Sequence, residues 1–338
     1  MLFGLYAPVP HVTVGSDLVR RSIEGALGGL PDGQVDAQMQ VARDVLLLAD
    51  EAGFDIALFA ERHRGPDLEA WILAAAIASL TKRIKIMTAV HPGLWHPTLI
   101  SKMAASLDRV APGRSSINIV TGWNEVEARM FGGDVLLGDD QRYDRAEEFV
   151  SVLRGMWENT PFSFDGAHYR VDGSELLLKP ASAIEIFAAS RSERGLDMVA
   201  RTADWRFVGH DPRAVDAREV TESLRRAISD MNARAARYGR RIRYAFNPFV
   251  AMGHDPAAAR AHVEQLLLSA SADADRAKML DYIGPAMNAG CIGAPERVRE
   301  QLLAYRAIGI ELFLFKFVPT AEEIHMIRDE IIKPLRTA

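Results

Sequence analysis

The sequence is almost without cysteine, and this scarcity excludes several classes of protein. Cys291 is the one cysteine among 338 residues, so the chain can form neither an internal disulfide framework nor a cysteine-based metal site. No run of about 18 consecutive apolar residues is present, so we expect no transmembrane helix. The first residues, MLFGLYAPVP, carry no basic charge and no long apolar run, which argues against a signal peptide. We therefore expect a soluble cytoplasmic protein.

Several charge patterns and catalytic signatures are also missing. The net charge of −5 at pH 7 gives no reason to expect binding to nucleic acid or to a membrane surface. The chain has no Gly-rich dinucleotide fingerprint, no P-loop and no Gly-x-Ser-x-Gly elbow, which argues against nucleotide hydrolysis and serine hydrolysis. Histidines and acidic residues do not show a His-x-x-x-His spacing, so we predict no metal site.

What the sequence does have is a regular alternation of short apolar runs with segments of helical periodicity. The eight predicted strands are Phe3–Pro8, Phe54–Ala60, Ile84–Val90, Ser115–Val120, Ile184–Ala188, Trp205–Val208, Arg243–Met252 and Leu312–Phe315. A small hairpin is predicted over Phe162–Val171, and residues 269–292 show little pattern. Eight strand–helix units without a dinucleotide fingerprint favour an α/β fold of the closed (β/α)8 TIM-barrel type over an open doubly wound sheet. The barrel would be one domain over residues 1–338, with short insertions at its C-terminal face.

Polar residues crowd the segment Ile117–Phe131, just where the fourth predicted strand ends. The strand breaks at Thr121-Gly122 and is followed by Asn124, Glu125, Glu127 and Arg129, while Asn118 interrupts its apolar run. Alone, this segment could be a solvated loop with an asparagine bonded to the backbone. Other strands also end in polar loops, which contain His11, Glu61–Arg64, His91–His96, Ser190–Ser192 and His210. Because strand ends meet at one face of a barrel, these loops predict one concave site.

The segment after the fifth strand is typical of an anion site. Ser190, Arg191 and Ser192 precede a helix, whose free N–H groups and partial positive charge favour a phosphate. The alternative is an ordinary capped helix with a surface arginine. The aromatic residues Trp95, Trp123, Phe59 and Phe131 could wall a planar cofactor or belong to the core. A phosphorylated planar cofactor would be flavin or pyridoxal phosphate. Lys316 is the only candidate for a Schiff-base lysine, so flavin is better supported.

Four motifs make the chain resemble the luciferase-like flavin monooxygenases over nearly its whole length. They are Phe54-Asp55 with Ala60-Glu61-Arg62-His63, Asn118-Ile119-Val120-Thr121-Gly122-Trp123 with Glu127, Arg142-Tyr143 with Glu147-Glu148-Phe149, and Ser190-Arg191-Ser192 with Ala203-Asp204-Trp205. The second motif resembles the branch that contains alkanesulfonate and dimethyl-sulfone monooxygenases and the pyrimidine oxygenase. These motifs are specific for the family and weak for the substrate.

The resemblance implies a dimeric or tetrameric barrel that uses dioxygen and reduced FMN delivered by a separate NAD(P)H-dependent flavin reductase. The flavin contacts that it implies are Glu61, Arg62, Asn118, Glu127, Arg142, Tyr143, Ser190, Arg191 and Ser192. It implies catalytic roles for His11 and His63, with Asn118 beside them. Trp95, Trp123 and Asn247 are the predicted substrate contacts.

Two departures from the sulfonate enzymes bear on the substrate. Phe246-Asn247-Pro248 replaces their Arg-x-His pair, and Asn247 instead matches the dimethyl-sulfone branch. Phe317-Val318-Pro319-Thr320 lacks the tyrosine and histidine of their last turn, and Lys316, Arg191 or Arg64 could substitute for the missing charge. A neutral or unusual substrate is therefore expected at least as much as a simple alkanesulfonate. The leading hypothesis is a monooxygenase of a small organosulfur compound, a sulfone or an alkanesulfonate. The alternatives are an oxygenase of amides or nitrogen heterocycles, a deazaflavin-dependent oxidoreductase, and a flavin-binding barrel without catalysis.

Overall fold

Eight parallel strands close into a barrel, as the sequence predicts. The computed structural model describes residues 1–9, 37–63, 67–122, 125–131, 138–268 and 287–337. The strands are β1 Leu2–Tyr6, β2 Ile56–Phe59, β3 Lys85–Val90, β4 Ser115–Ile119, β5 Phe162–Asp165, β6 Arg170–Ser174, β7 Glu185–Ala188, β8 Trp205–Phe207, β9 Arg243–Phe246, β10 Ala251–Met252, β11 Ile292–Gly293 and β12 Ile310–Phe315. The order around the barrel is β1, β12, β9, β8, β7, β4, β3, β2, while β5–β6 and β10–β11 form two small additional sheets.

Helices follow the barrel strands and supply its outer layer. They are α1 Ala37–Ala52, α2 Ala70–Leu80, α3 Pro97–Val110, α4 Glu125–Met130, α5 Asp139–Glu158, α6 Glu193–Thr202, α7 Ala217–Ala236, α8 Pro256–Leu268, α9 Pro295–Ala307, α10 Ala321–Ile327 and α11 Lys333–Thr337, with a π-helical turn Arg328–Ile332 before the last. In the part of the chain described, no helix is both long and apolar enough to cross a membrane.

The barrel strands are buried on both faces because their side chains alternate between the helices and the barrel interior. Phe313 and Phe315 pack outward into the helical layer, whereas Leu312 and Leu314 point inward. The inward side chains form a second apolar cluster. Its buried members are Ile56, Leu58, Met87, Phe187, Trp205, Ala245, Leu312 and Leu314. The barrel is therefore a packed core rather than a pore.

Below this cluster, charged side chains at the N-terminal ends of the strands form a layer that we call the floor: Lys85, Glu185, Arg243 and Glu311. Lys85 Nζ lies 2.9 Å from Glu185, and Arg243 reaches both Glu185 at 3.2 Å and Glu311 at 3.0 Å. The guanidinium carbon of Arg243 lies 3.8 Å from the Trp205 ring centroid. Burial would raise the pKa of Glu185, but hydrogen bonds from Lys85 and Trp205 and the nearby positive charges lower it. The floor is thus a compensated ionic network.

The seventh predicted strand, Arg243–Met252, is wrong in its extent. Strand β9 ends at Phe246, and Pro248, which has no N–H group to donate to a neighbouring strand, follows two residues later. The chain rejoins β12 when the Val250 N–H donates to the Lys316 carbonyl at 2.9 Å. It then pairs with β11 as the separate strand β10. The predicted hairpin is confirmed as β5–β6.

Candidate active site

The C-terminal ends of the strands gather the polar side chains that the sequence places in loops. Glu61, Arg62 and His63 follow β2, and His91 follows β3. Asn118 lies on β4, Ser190–Ser192 follow β7, Asn247 follows β9 and Lys316 follows β12. Glu127 belongs to α4, while His11 and Trp123 lie outside the described residues. The structure therefore brings most of the predicted site residues to one end of the barrel.

Three hydroxyl groups, of Tyr143, Ser190 and Ser192, meet at the N-terminus of α6, and we call them the hydroxyl cluster. Ser190 Oγ donates to the Tyr143 hydroxyl at 3.2 Å and lies 3.5 Å from Ser192 Oγ. Ser192 caps α6, because its Oγ accepts from the Gly195 N–H at 3.2 Å. Free N–H groups and the helix dipole add positive potential at this point. The arrangement suits an anion with several oxygen atoms.

Gly195 in the first turn of α6 makes the hydroxyl cluster sterically possible. A Cβ atom at this position would collide with Ser190 Oγ and lie 2.6 Å from Cε1 of Tyr143. Any larger residue would therefore push two of the three hydroxyl groups away from the helix N-terminus. Burial would raise the pKa of Tyr143, but hydrogen bonds with Ser190 and Ser192 and the charge of Arg142 lower it. This phenol is thus in an environment that stabilises negative charge.

Two arginines belong to the segments that form the hydroxyl cluster: Arg142 precedes Tyr143, and Arg191 lies between Ser190 and Ser192. The Arg142 guanidinium donates to the Gly122 carbonyl at 3.0 Å and to the Tyr143 hydroxyl at 3.4 Å. Arg142 therefore ties the loop after β4 to α5. The Arg191 side chain is exposed, and its guanidinium lies beside Gly209 in the loop after β8. Arg142 therefore lies close enough to an anion at the cluster to strengthen its binding.

A second group, the imidazole cluster, consists of Glu61, His63 and His91. Nδ1 of His63 lies 3.5 Å from Glu61 Oε1, and the two histidine rings are 6.0 Å apart. The Phe131 ring packs edge-on against His63, with centroids 4.8 Å apart. Burial, together with the charges of His63 and Arg62, lowers the pKa of His91 to about 4. His91 is therefore neutral at neutral pH.

The predicted substrate contacts lie in different environments. Asn118 is opposite Ala89 and Phe187 in the sheet, which places it on the inward side above Phe187. Nδ2 of Asn247 lies 2.6 Å from the Tyr6 hydroxyl. Trp95 packs against the outer core, and its buried Nε1 has no hydrogen-bond partner among the described residues. Asn118 and Asn247 thus belong to the inner wall of the barrel, and Trp95 to its rim.

Sequence reasoning did not select Tyr6, and it placed His91 among the polar loops of the site without giving it a role. Tyr6 has the same parity on β1 as Leu2, which packs against the interior cluster, so strand alternation could have found it. His91 stands directly after β3, but its approach to His63 depends on the pairing of β2 with β3. No local signal in the sequence reports that contact.

Comparisons with known proteins agree with this architecture. The sequence model of a family described as "Luciferase-like monooxygenase" matches residues 26–312. The FMNH(2)-dependent dimethylsulfone monooxygenase of Pseudomonas fluorescens (strain Pf0-1) is 29% identical over 323 residues, covering 87% of this chain and 86% of the relative. Pyrimidine monooxygenase RutA of Allorhizobium ampelinum is 31% identical over 211 residues, covering 60% of this chain and 56% of that protein. The crystal structure of riboflavin lyase (RcaE) has a TM-score of 0.77 at 18% identity, covering 100% of this chain and 91% of that one, which is a likeness of fold.

Proposed function

Because the chain belongs to the luciferase-like monooxygenase family, we propose that it uses reduced FMN and dioxygen to oxidise a small organosulfur compound. The family match spans residues 26–312 and therefore most of the barrel. The proposal for the cofactor and the substrate class draws on the dimethylsulfone monooxygenase relative, which is similar over 87% of this chain. The observation that carries it in this chain is the hydroxyl cluster at the N-terminus of α6.

The residues present fit the phosphate of FMN. Ser190, Ser192 and Tyr143 present three hydroxyl groups at a helix N-terminus, and Gly195 leaves the space that they need. Arg142 supplies positive charge beside Tyr143, and Arg191 remains a proposed contact. Glu61, Arg62, Asn118 and Glu127 remain the proposed contacts for the rest of the cofactor. With its phosphate at the C-terminal end of β7, the cofactor would extend its ribityl chain into the mouth of the barrel, where the inward polar residues lie.

Bound reduced flavin would supply the electrons with which dioxygen gives one oxygen atom to the substrate and releases the other as water. The residues of this chain would bind and orient the cofactor and the substrate, and would move protons. Nδ1 of His63 faces Glu61 Oε1 at 3.5 Å, so the proposed atom for proton exchange with the reacting groups is Nε2 on the other side of the ring. His91 stays neutral and adds no second positive charge beside His63. The packed barrel interior limits the entry of water from below.

The first test measures FMN binding to serine variants of the hydroxyl cluster. We expect S190A and S192A each to weaken reduced FMN about 10-fold in anaerobic titrations, because each removes a hydrogen bond to a charged phosphate. Riboflavin, which lacks the phosphate, should bind the variants and the wild type equally. S151A is the matched control, since Ser151 is an exposed serine on α5 whose hydroxyl donates to the Glu147 carbonyl of its own helix.

Turnover then separates the possible substrates. With a flavin reductase, NADH and FMN, the wild type should consume dioxygen in a dimethyl sulfone or alkanesulfonate assay. If the protein turned over uracil but no organosulfur compound, the proposed substrate class would be wrong and the proposed cofactor would stand. Failure of the wild type to bind either redox form of FMN would overturn the proposal as a whole.

We also propose a homodimer or homotetramer, supplied with reduced FMN by a separate NAD(P)H-dependent reductase. Helix α2 supports the oligomer, because its sequence AWILAAAIASL contains no charged residue and yet its outward face is exposed. Ile72 on that face is 70% exposed, and on the neighbouring α3 Leu99 is 48% and Val110 58% exposed. A helix that is apolar on all sides is normally buried, so a second copy of the chain is the proposed cover.

A further inference from the structure

Lys316 directly follows β12 at the mouth of the barrel and continues the inward side of that strand. Leu312 and Leu314 point into the interior cluster, so alternation directs the side chain two residues later to the same side. The strand pairing also continues through this residue. The Lys316 N–H donates to the Pro248 carbonyl at 2.9 Å, and its carbonyl accepts from the Val250 N–H at 2.9 Å. The backbone that carries this amine is therefore held on rigid scaffold.

Two further polar side chains, of Tyr6 and Asn247, lie on the strands that flank β12. The register Leu5–Phe315 brings Tyr6 beside Lys316, and the register Phe246–Phe313 brings Asn247 beside Leu314. The hydrogen bond of 2.6 Å between Asn247 and the Tyr6 hydroxyl spans the strand that lies between them. Three neighbouring strands thus end in one inward polar group each, directly above an apolar layer.

The amide of Asn247 itself indicates a ligand. Its Oδ1 is buried and has no hydrogen-bond partner among the described residues. The two ends of an amide are assigned from their hydrogen bonds, and either assignment leaves one end of this group for another molecule. A buried polar atom without a partner costs free energy, so its retention above an apolar layer is expected where a ligand completes it.

The position of the three groups separates them from the hydroxyl cluster. In the ring of eight strands, β1 and β12 lie opposite β7 and β4, which carry Ser190 and Asn118. The phosphate of the proposed cofactor and the ligand of this wall would therefore occupy opposite sides of the mouth. Burial lowers the pKa of Lys316 to about 8, so the amine carries its proton at neutral pH.

We propose that Lys316, Asn247 and Tyr6 form an oxyanion subsite that binds the negatively charged oxo-acid group of the substrate. This inference rests on the proposed function for its role in turnover, and it deepens that function by assigning an anionic substrate. A lysine ammonium with a neighbouring amide and phenol matches the oxygen atoms of a sulfinate or sulfonate on a short carbon chain. A neutral sulfone presents two oxygens of similar geometry but no net charge for Lys316 to bind.

The test compares anionic and neutral ligands of similar size by isothermal titration. Methanesulfonate, methanesulfinate and dimethyl sulfone are titrated into the wild type, K316M, K316R and N247A, each with and without oxidised FMN. We expect the wild type to prefer the two anions, K316M to bind them at least about 10-fold more weakly, and K316R to stay within about 5-fold of the wild type. K102M, which replaces an exposed lysine of α3, should leave all affinities unchanged.

Two results would overturn the subsite: tighter binding of dimethyl sulfone than of either anion by the wild type, or unchanged anion affinity in K316M. If circular dichroism shows that K316M is unfolded, N247A carries the test, and unchanged anion affinity in N247A is then the contrary result. If the protein were not FMN-dependent, the titrations would give a different result. FMN would not bind, while the difference in anion affinity between the wild type and the variants would remain.

Discussion

At the scale of single residues, His91 shows what burial at the mouth of the barrel does to a titratable group. Its pKa is lowered from 6.5 to about 4, first by burial and then by the charges of His63 and Arg62. Between these pH values an unfolded chain binds a proton at this residue and the folded protein does not. The free energy of unfolding therefore falls as the pH drops from 6.5 towards 4, and the contribution is constant above 6.5.

The variant H91Q tests this sign, because glutamine keeps a polar side chain that does not titrate. We expect the wild type to lose about 3 kcal/mol relative to H91Q between neutral pH and pH 4, from about 1.4 kcal/mol per unit of pKa shift. Urea unfolding at several pH values measures the difference. H254Q, at an exposed histidine, is the control. A wild-type curve parallel to that of H91Q would show that His91 titrates alike in both states.

At the scale of elements, a buried carboxylate fastens α1 to the start of β3. Asp50 is 6% exposed and accepts hydrogen bonds from the backbone N–H groups of Lys82, Arg83 and Ile84 at 2.8, 3.0 and 2.7 Å. Because these three groups immediately precede β3, this single side chain links the end of a helix to the start of a later strand.

We expect D50A to lower the free energy of unfolding by about 3 kcal/mol or more, since three N–H groups lose their acceptor and those that stay buried cost about 1–3 kcal/mol each. Urea denaturation gives the value. E51A changes the neighbouring exposed carboxylate of the same helix and should stay within about 0.5 kcal/mol of the wild type. Equal stabilities of D50A and E51A would contradict the role of Asp50.

The alternation of strands and helices could be predicted because it depends on local periodicity, and the closed barrel confirms it. The end of the seventh strand could not, because Asn247–Met252 leave β9 to pair with Lys316 and with β11, which are distant in sequence. The hydroxyl cluster follows a local motif, Ser190–Ser192, and its place on α6 was predictable. The contact between His63 and His91 and the Tyr6–Asn247 bond arise only when separate strands are brought side by side.

At the scale of the whole molecule, the proposed oligomer depends on the uncharged face of α2. We expect I72E to shift the protein to a monomer in sedimentation-velocity experiments, because a carboxylate buried without a partner opposes association by several kcal/mol. R297E, an exposed change of charge on α9, should leave the oligomer intact. A wild-type protein that sediments as a monomer, or an I72E oligomer as stable as the wild type, would argue against this interface.

The floor bears on the end of the barrel from which ligands reach the site. Lys85, Glu185 and Arg243 bridge the lower end and apolar side chains fill the middle, so in the described part of the chain the polar site faces the upper end. Under the proposed function, cofactor, oxygen and substrate would all bind at this upper end. Because the proposed phosphate and oxyanion subsites lie on opposite sides of the mouth, a substrate could bind beside a flavin already in place.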